Sequence, residues 1–133
     1  MRVLVVWMIF AVMLQANIFE DYKDFARLMK YELDYEQARK KAIAQHKLLL
    51  VLYVKDGCPF CTKLEEEVLT DRDVRKFIKE RYVSAIVNEY HKNFPDFLLS
   101  RIAPVTYIIE PKSQKVVKEI VGYMEVDQYL WQF

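Results

Sequence analysis

The chain has 133 residues, of which 53% are hydrophobic, 29% charged and 14% aromatic, with 2 Gly and 4 Pro. These proportions indicate one folded domain and exclude disordered and collagen-like chains, because apolar surface is ample and residues that break regular structure are few. The 20 Lys and Arg nearly balance the 19 Asp and Glu, so the net charge of +1 does not indicate a nucleic-acid-binding protein.

The first sixteen residues are typical of an export signal. A positively charged start precedes twelve apolar residues, Val3 to Leu14, and then a small residue, Ala16. The apolar stretch is shorter than the roughly 20 residues that span a membrane, although no charge occurs from Val3 to Phe19. We therefore predict a signal peptide over residues 1–16, with an uncleaved membrane anchor as the alternative.

A single domain over residues 17–133 is predicted to begin with an amphipathic helix at about 18–33. Apolar residues recur there at helical spacing: Phe19, Tyr22, Ala26, Met29 and Leu33. Asp34 and Gln37 resemble a capping box and predict a second helix through about Gln45.

The middle of the chain reads as a buried strand followed by a helix. Leu48–Val54 is a continuous apolar run that suits a strand buried on both faces. Cys58-Pro59-Phe60-Cys61 follows, and then a helix is predicted over Thr62–Leu69. Within that helix, residues 65–67 are three consecutive glutamates and are interpreted as a solvated run.

The remaining elements alternate between helices and strands. The predictions are a helix capped by Thr70 with Asp73, a strand Tyr82–Val87, one or two helical turns in Asp96–Arg101, strands Val105–Ile109 and Val116–Val121, and a closing helix Val126–Trp131. This order predicts an α/β fold: a central mixed sheet with helices on both faces and a C-terminal antiparallel hairpin.

The two cysteines, Cys58 and Cys61, are placed for thiol–disulfide exchange. Exchange needs a thiolate, and the unpaired N–H groups at a helix start favour negative charge on the first sulfur. A spacing of three residues brings the second sulfur beside the first, and Pro59 suits the first helical turn. Cys58 is therefore the predicted exposed nucleophile and Cys61 the shielded resolving thiol.

Other uses of the cysteine pair are weaker. A zinc site usually needs four ligands, and His46 and His91 are distant from the pair, so no metal is predicted. Covalent haem attachment needs His where Thr62 stands. A purely structural disulfide remains an alternative. With 2 Gly in the chain and no phosphate-binding motif, no cofactor is predicted.

From Asp34 to its C-terminus, the chain resembles the thioredoxin superfamily. The resemblance rests on the strand Leu48–Val54, the Cys58–Cys61 site and Ala103-Pro104-Val105, with Pro104 placed 46 positions after Cys58. It implies a thioredoxin-like fold in which a cis Pro104 opens the strand that faces the dithiol. It also implies that Ala103 and Pro104 hold the substrate backbone. Phe60 and Tyr107 are then expected to shape an apolar contact surface.

The chain looks most like small exported thioredoxin-like proteins of bacteria, which implies a periplasmic location. One departure is informative: thioredoxins bury an aspartate six positions before the nucleophile, and Leu52 stands there. Deprotonation of Cys61 must then rely on water or on a group such as Lys55, Asp56 or Glu65.

Two functions follow from these observations. The preferred one is an exported thiol–disulfide oxidoreductase acting on protein disulfides, more as a reductant than as an oxidant. A membrane protein would supply or accept its electrons, and the chain is expected to act as a monomer. The alternative is a non-enzymatic thioredoxin-like module that binds a partner or a metal ion through its cysteine pair.

Overall fold

The structure is a computed structural model and describes residues 18–133. The predicted signal peptide or anchor over residues 1–16 lies outside the described residues. Among residues 18–133, no helix is both long enough and apolar enough to cross a membrane.

A four-stranded mixed sheet forms the centre of the fold. Its strands are β1 (Leu48–Val54), β2 (Tyr82–Asn88), β3 (Val105–Glu110) and β4 (Lys115–Val121). In the order β2-β1-β3-β4, β1 runs parallel to β2 and antiparallel to β3, and β3 runs antiparallel to β4. β1 is thus an inner strand, and all of its residues after Leu48 are buried, which confirms the strand predicted from its apolar run.

Five α-helices within residues 18–133 cover the two faces of the sheet. They are α1 (Tyr22–Met29), α2 (Tyr35–Ala44), α3 (Pro59–Lys63), α4 (Arg72–Arg81) and α5 (Val126–Leu130). Side chains of β1 alternate between the faces. Leu50 and Leu52 share a core with residues of α1, α3, α4 and α5, whereas Leu49 and Val51 share the other core with α2. The predicted layers, with helices on both faces and a C-terminal hairpin, are therefore confirmed.

The N-terminal helix is shorter than the predicted 18–33. It begins only after Asp21, whose carboxylate accepts the N–H groups of Lys23 at 2.8 Å and Asp24 at 3.0 Å. It ends at Lys30, which is left-handed with φ of 58°. Leu33, predicted to lie on the apolar face of this helix, is outside it and 40% exposed.

The chain between α1 and α2 adds to the edge of the sheet. Glu32 forms a parallel bridge beside β2: its N–H donates to the Ser84 carbonyl and its carbonyl accepts the Ile86 N–H, both at 2.9 Å. This pairing with a distant strand explains why the helix stops early.

Two further helix boundaries differ from the predictions. The helix expected over Thr62–Leu69 begins at Pro59, and α3 passes directly into a π-helical turn, Leu64–Val68. The next helix, α4, is capped by Asp71 rather than Thr70, because the Asp71 carboxylate accepts the N–H groups of the first turn. The helical turns predicted over Asp96–Arg101 reduce to a 3-10 turn at Asp96–Leu98.

Candidate active site

The cysteine pair lies where β1 ends and α3 begins. The connecting turn needs a left-handed residue, and Gly57 supplies it with φ of +63°. Cys58 then occupies the N-cap of α3, with Pro59 in the first turn of the helix as expected. Cys58 and Cys61 form a disulfide with their Cα atoms 5.3 Å apart.

The two sulfurs differ in environment in the way the sequence predicts. Cys58 is partly exposed, whereas Cys61 is only 3% exposed and belongs to the apolar core. The backbone N–H of Cys61 donates to Cys58 Sγ at 3.2 Å. Such a donor stabilises negative charge on a sulfur after reduction. The geometry therefore suits an accessible thiolate at position 58 and a shielded thiol at position 61.

The loop that contains Ala103 and Pro104 stands opposite Cys58. The peptide bond between them is cis, as the resemblance implies. Cys58 Sγ lies 3.7 Å from the Ala103 carbonyl oxygen, and the Pro104 carbonyl accepts the Gly122 N–H at 2.8 Å. The loop is thus fixed to the end of β4 on one side and faces the reactive sulfur on the other.

Exposed apolar side chains border the dithiol. Phe60 is 60% exposed and stacks on Tyr123 with ring centroids 6.4 Å apart, and Ile102, next to Ala103, is 58% exposed. The expectation for Tyr107 is wrong: it is 4% exposed and packs in the core under α2, on the other face of the sheet. Ile102 replaces it as a candidate apolar contact.

A cavity of about 710 Å³ opens beside the disulfide, and Cys58, Pro59 and Cys61 line it. Its charged lining is mainly acidic: Glu20, Asp21, Asp56, Glu65, Glu66 and Glu67, against Lys55 and Lys63. Both lysines have partners nearby, since Lys55 Nζ lies 3.5 Å from Glu89 and Lys63 Nζ lies 4.6 Å from the centre of the Tyr123 ring. The dithiol therefore sits at the rim of an acidic cavity.

Glu65 does not belong to a solvated run, and that interpretation is wrong. Its side chain is 5% exposed, whereas Glu67 two residues later is exposed. Burial, together with the smaller effects of the neighbouring charges of Glu66 and Asp21, raises the pKa of Glu65 to about 7. The π-helical turn places this carboxyl on the cavity wall together with Cys61.

The N-terminal segment forms another wall of the cavity, a contribution that the sequence analysis missed. The Ile18 N–H donates to Glu66 Oε1 at 2.8 Å, and Phe19 is 6% exposed and packs edge-on against Phe25. Phe19 was a visible signal, since it is apolar and stands before a charged stretch. Its spacing was instead attributed to a helix that begins only at Tyr22.

Solved structures with the same fold include thioredoxin-like proteins from bacteria. A thioredoxin from Thermus thermophilus is 21% identical, with 76% of this chain and 82% of that chain covered and a TM-score of 0.63. The oxidised DsbD C-terminal domain from Neisseria meningitidis is 16% identical, with 76% and 94% covered and a TM-score of 0.59. A protein described as DsbH oxidoreductase is 14% identical, with 75% and 81% covered and a TM-score of 0.54.

Comparisons of sequence give a more direct result for the family. No curated protein matches the chain significantly. The family model described as a thioredoxin-like domain matches residues 35–133, which include the cysteine pair, the Ala103–Pro104 loop and all four strands. The chain therefore belongs to the thioredoxin-like domain family.

Proposed function

We propose that this protein is an exported thiol–disulfide oxidoreductase that reduces disulfides in protein substrates. The observation that supports it best is the position of Cys58 Sγ, which is partly exposed and 3.7 Å from the Ala103 carbonyl oxygen. The exposed side chains of Phe60, within the cysteine motif, and Ile102, next to Ala103 in sequence, offer an apolar surface to a polypeptide.

The reaction begins with the reduced protein. The Cys58 thiolate attacks one sulfur of a substrate disulfide, and the other substrate sulfur leaves with the bonding electron pair and takes a proton. Cys61 then attacks Cys58 Sγ, which releases the second substrate thiol and forms the Cys58–Cys61 disulfide seen in the structure. The substrate gains two electrons, the protein loses two, and a donor dithiol must reduce the protein again.

The loop opposite Cys58 holds the substrate backbone in this proposal. The Ala103 carbonyl is available to accept an N–H from an extended substrate segment beside the sulfur. Pro104 has no backbone N–H, so the protein presents no donor at the start of β3, where the substrate segment would pair with the strand. Phe60 and Ile102 contact the substrate side chains on either side.

The acidic cavity supports a reductant rather than an oxidant. Fixed negative charges beside a thiol disfavour the thiolate, whereas the disulfide is neutral and is not affected. A stabilised thiolate makes a dithiol protein oxidising, and the acidic lining has the opposite effect. The disulfide form is therefore favoured at equilibrium, and electrons pass to the substrate.

Export to the periplasm rests on the sequence of residues 1–16, as a cleaved signal or a retained anchor. A membrane protein is the proposed electron donor, as the resemblance to small exported thioredoxin-like proteins implies. The sheet edges support a monomer: Glu32 pairs with β2, and the exposed outer strand β4 carries Lys115, Lys118 and Glu119.

A Cys61→Ala variant tests the reaction, because it forms the Cys58 mixed disulfide but lacks the thiol that resolves it. Expressed with its own N-terminal segment, this variant should accumulate covalent adducts with substrates and with the electron donor, identified by mass spectrometry after non-reducing separation. Fractionation of the same cells tests export.

The matched control is Cys58→Ser with Cys61 retained, which should capture no adduct. The proposal is wrong if Cys61→Ala traps nothing and the wild-type protein does not reduce an added disulfide. Partner binding that survives in Cys58→Ser would instead support the non-enzymatic binding module.

A further inference from the structure

Resolution of the mixed disulfide requires Cys61 to lose a proton in an apolar setting. Cys61 is 3% exposed, and Leu52 and Val54 of β1 belong to the same apolar core and carry no titratable group. A free cysteine titrates near pH 8.5, so few such thiols are ionised at neutral pH. Among residues 18–133, a proton acceptor for Cys61 must therefore come from another element than β1.

Glu65 is the buried acid that lines the same cavity as this thiol. It lies four residues after Cys61 on the continuous helix formed by α3 and the π-helical turn, and both residues line the 710 Å³ cavity. Its side chain is only 5% exposed but lines the cavity, and among residues 18–133 no buried side-chain oxygen is left without a hydrogen-bond partner. A mostly buried carboxyl resists ionisation, so it exchanges its proton nearer to neutral pH than an exposed glutamate does.

The surroundings keep this carboxyl near half-ionisation at neutral pH. Burial is the main cause that raises the pKa of Glu65 to about 7. The charged or titratable groups that line the cavity with it come from three places: Glu20, Asp21 and Tyr22 around the start of α1, Lys55 and Asp56 after β1, and Lys63, Glu66 and Glu67 on its own helix. β2 contributes only the neutral Asn88, and α5, which also contacts the π-helical turn, contributes no lining residue.

We propose that the Glu65 carboxylate accepts the proton of Cys61 as Cys61 attacks the mixed disulfide, and that it releases this proton through the cavity. The Cys61–Cys58 bond forms, the bond between Cys58 and the substrate sulfur breaks, and the substrate sulfur leaves with the electron pair. The proton held by Glu65 then passes to the departing thiolate or to solvent. A base that titrates near the working pH is the most effective kind.

This proposal rests on the proposed function, and a two-step assay separates the two. Reduced protein, in excess, is mixed with dithiobis(nitrobenzoate). One thionitrobenzoate is released when Cys58 attacks and a second when Cys61 resolves the mixed disulfide. The Cys61→Ala variant gives the first release alone and so identifies it.

For Glu65→Gln we expect an unimpaired first release and a second release slowed on the order of 100-fold at pH 7, the usual effect of a lost general base. In the wild type, the second release should slow as the pH falls through about 7, because the protonated carboxyl accepts no proton. That inflection should be absent in Glu65→Gln, whose second release should instead rise with pH toward the titration of a free thiol. Glu65→Asp should restore part of the rate and the inflection.

The sign of the effect distinguishes a base from a mere negative charge. Removing a charge that only repels the Cys61 thiolate would speed the second release, so an unchanged or faster second release in Glu65→Gln overturns the proposal. Glu20→Gln is the matched control, since it removes an exposed acid from the same cavity and should change the second release less than about threefold. Loss of the first release in the wild type would overturn the proposed function instead.

Discussion

Glu65 links the proposed chemistry to the stability of the folded protein. Its pKa is raised from 4.5 to about 7, so the folded state holds a proton between these pH values that the unfolded chain has released. The stability contributed by the protonated carboxyl is complete below pH 4.5 and is lost as the pH rises through about 7. A pKa shift of this size corresponds to a loss of unfolding free energy on the order of 3 kcal/mol.

We therefore expect the oxidised wild-type protein to lose stability relative to Glu65→Gln as the pH rises from 4.5 to 7.5. Urea unfolding of both proteins at several pH values measures the difference, in which the other titrating groups cancel. Glu20→Gln, compared in the same way, should show no such trend. A constant difference between wild type and Glu65→Gln would contradict the burial of an acid at this position.

Some site residues are visible in the sequence because their chemistry is local. Cys58 and Cys61 are three residues apart, and the proline at 104 is recognisable from the strand that follows it. Glu65 was considered as a base but misplaced in solvent, because burial depends on the packing of other elements, and residues far away in sequence such as Phe19 line the same cavity. No helical pattern within residues 62–69 contains that information.

At the scale of elements, the start of α4 offers a direct test of the cap. The Asp71 carboxylate accepts the N–H of Asp73 at 2.9 Å and that of Val74 at 3.1 Å, whereas the Thr70 hydroxyl donates to the Glu66 carbonyl of the preceding turn. Asp71→Ala should lower the free energy of unfolding by about 1 kcal/mol.

Thr70→Ala is the matched comparison. It should lower the free energy of unfolding by less, because it leaves both capping hydrogen bonds of α4 in place. Urea unfolding at pH 7 measures both variants. A larger loss in Thr70→Ala than in Asp71→Ala would mean that the cap lies at position 70, as the sequence suggested.

The elements that the sequence predicted best are those with a strong local pattern. β1 has the predicted bounds, since seven consecutive apolar residues fit a strand with both faces covered. The N-terminal helix was predicted too long because Glu32 pairs with β2, a contact between residues about fifty positions apart. Tyr107 was assigned to the wrong face because its register on β3 is set by pairing with Val51.

Over the whole molecule, a net charge of +1 conceals two regions of opposite sign. The cavity beside the dithiol is acidic, whereas a groove of about 470 Å³ between α1, α2 and α4 is lined by seven lysines and arginines and one acid, Glu32. The layered fold could be predicted from the order of elements. This separation of charge could not be predicted from the sequence, because it depends on which faces of the helices pack together.

The acidic cavity beside the dithiol should lower the reduction potential of the cysteine pair. We expect a reduction potential nearer to about −270 mV than to about −120 mV, the values at the reducing and oxidising ends of this fold. Equilibration with glutathione buffers measures it. Asp56→Asn, which removes a charge from the cavity, should raise the potential, and Lys76→Gln in the basic groove should leave it unchanged. A potential close to −120 mV would argue for an oxidant.

The attachment of Ile18 to Glu66 has a topographical consequence. Ile18 lies against Glu66, which lines the cavity, so a preceding segment is attached to the domain beside that cavity, and each of its residues can extend at most about 3.6 Å. A leader kept in the bilayer would hold the Cys58–Cys61 pair close to the lipid surface. The pair would then react mainly with proteins at that surface. A peptidase cutting after Ala16 would remove that restraint, so the processing of a few residues would determine which molecules the dithiol can meet.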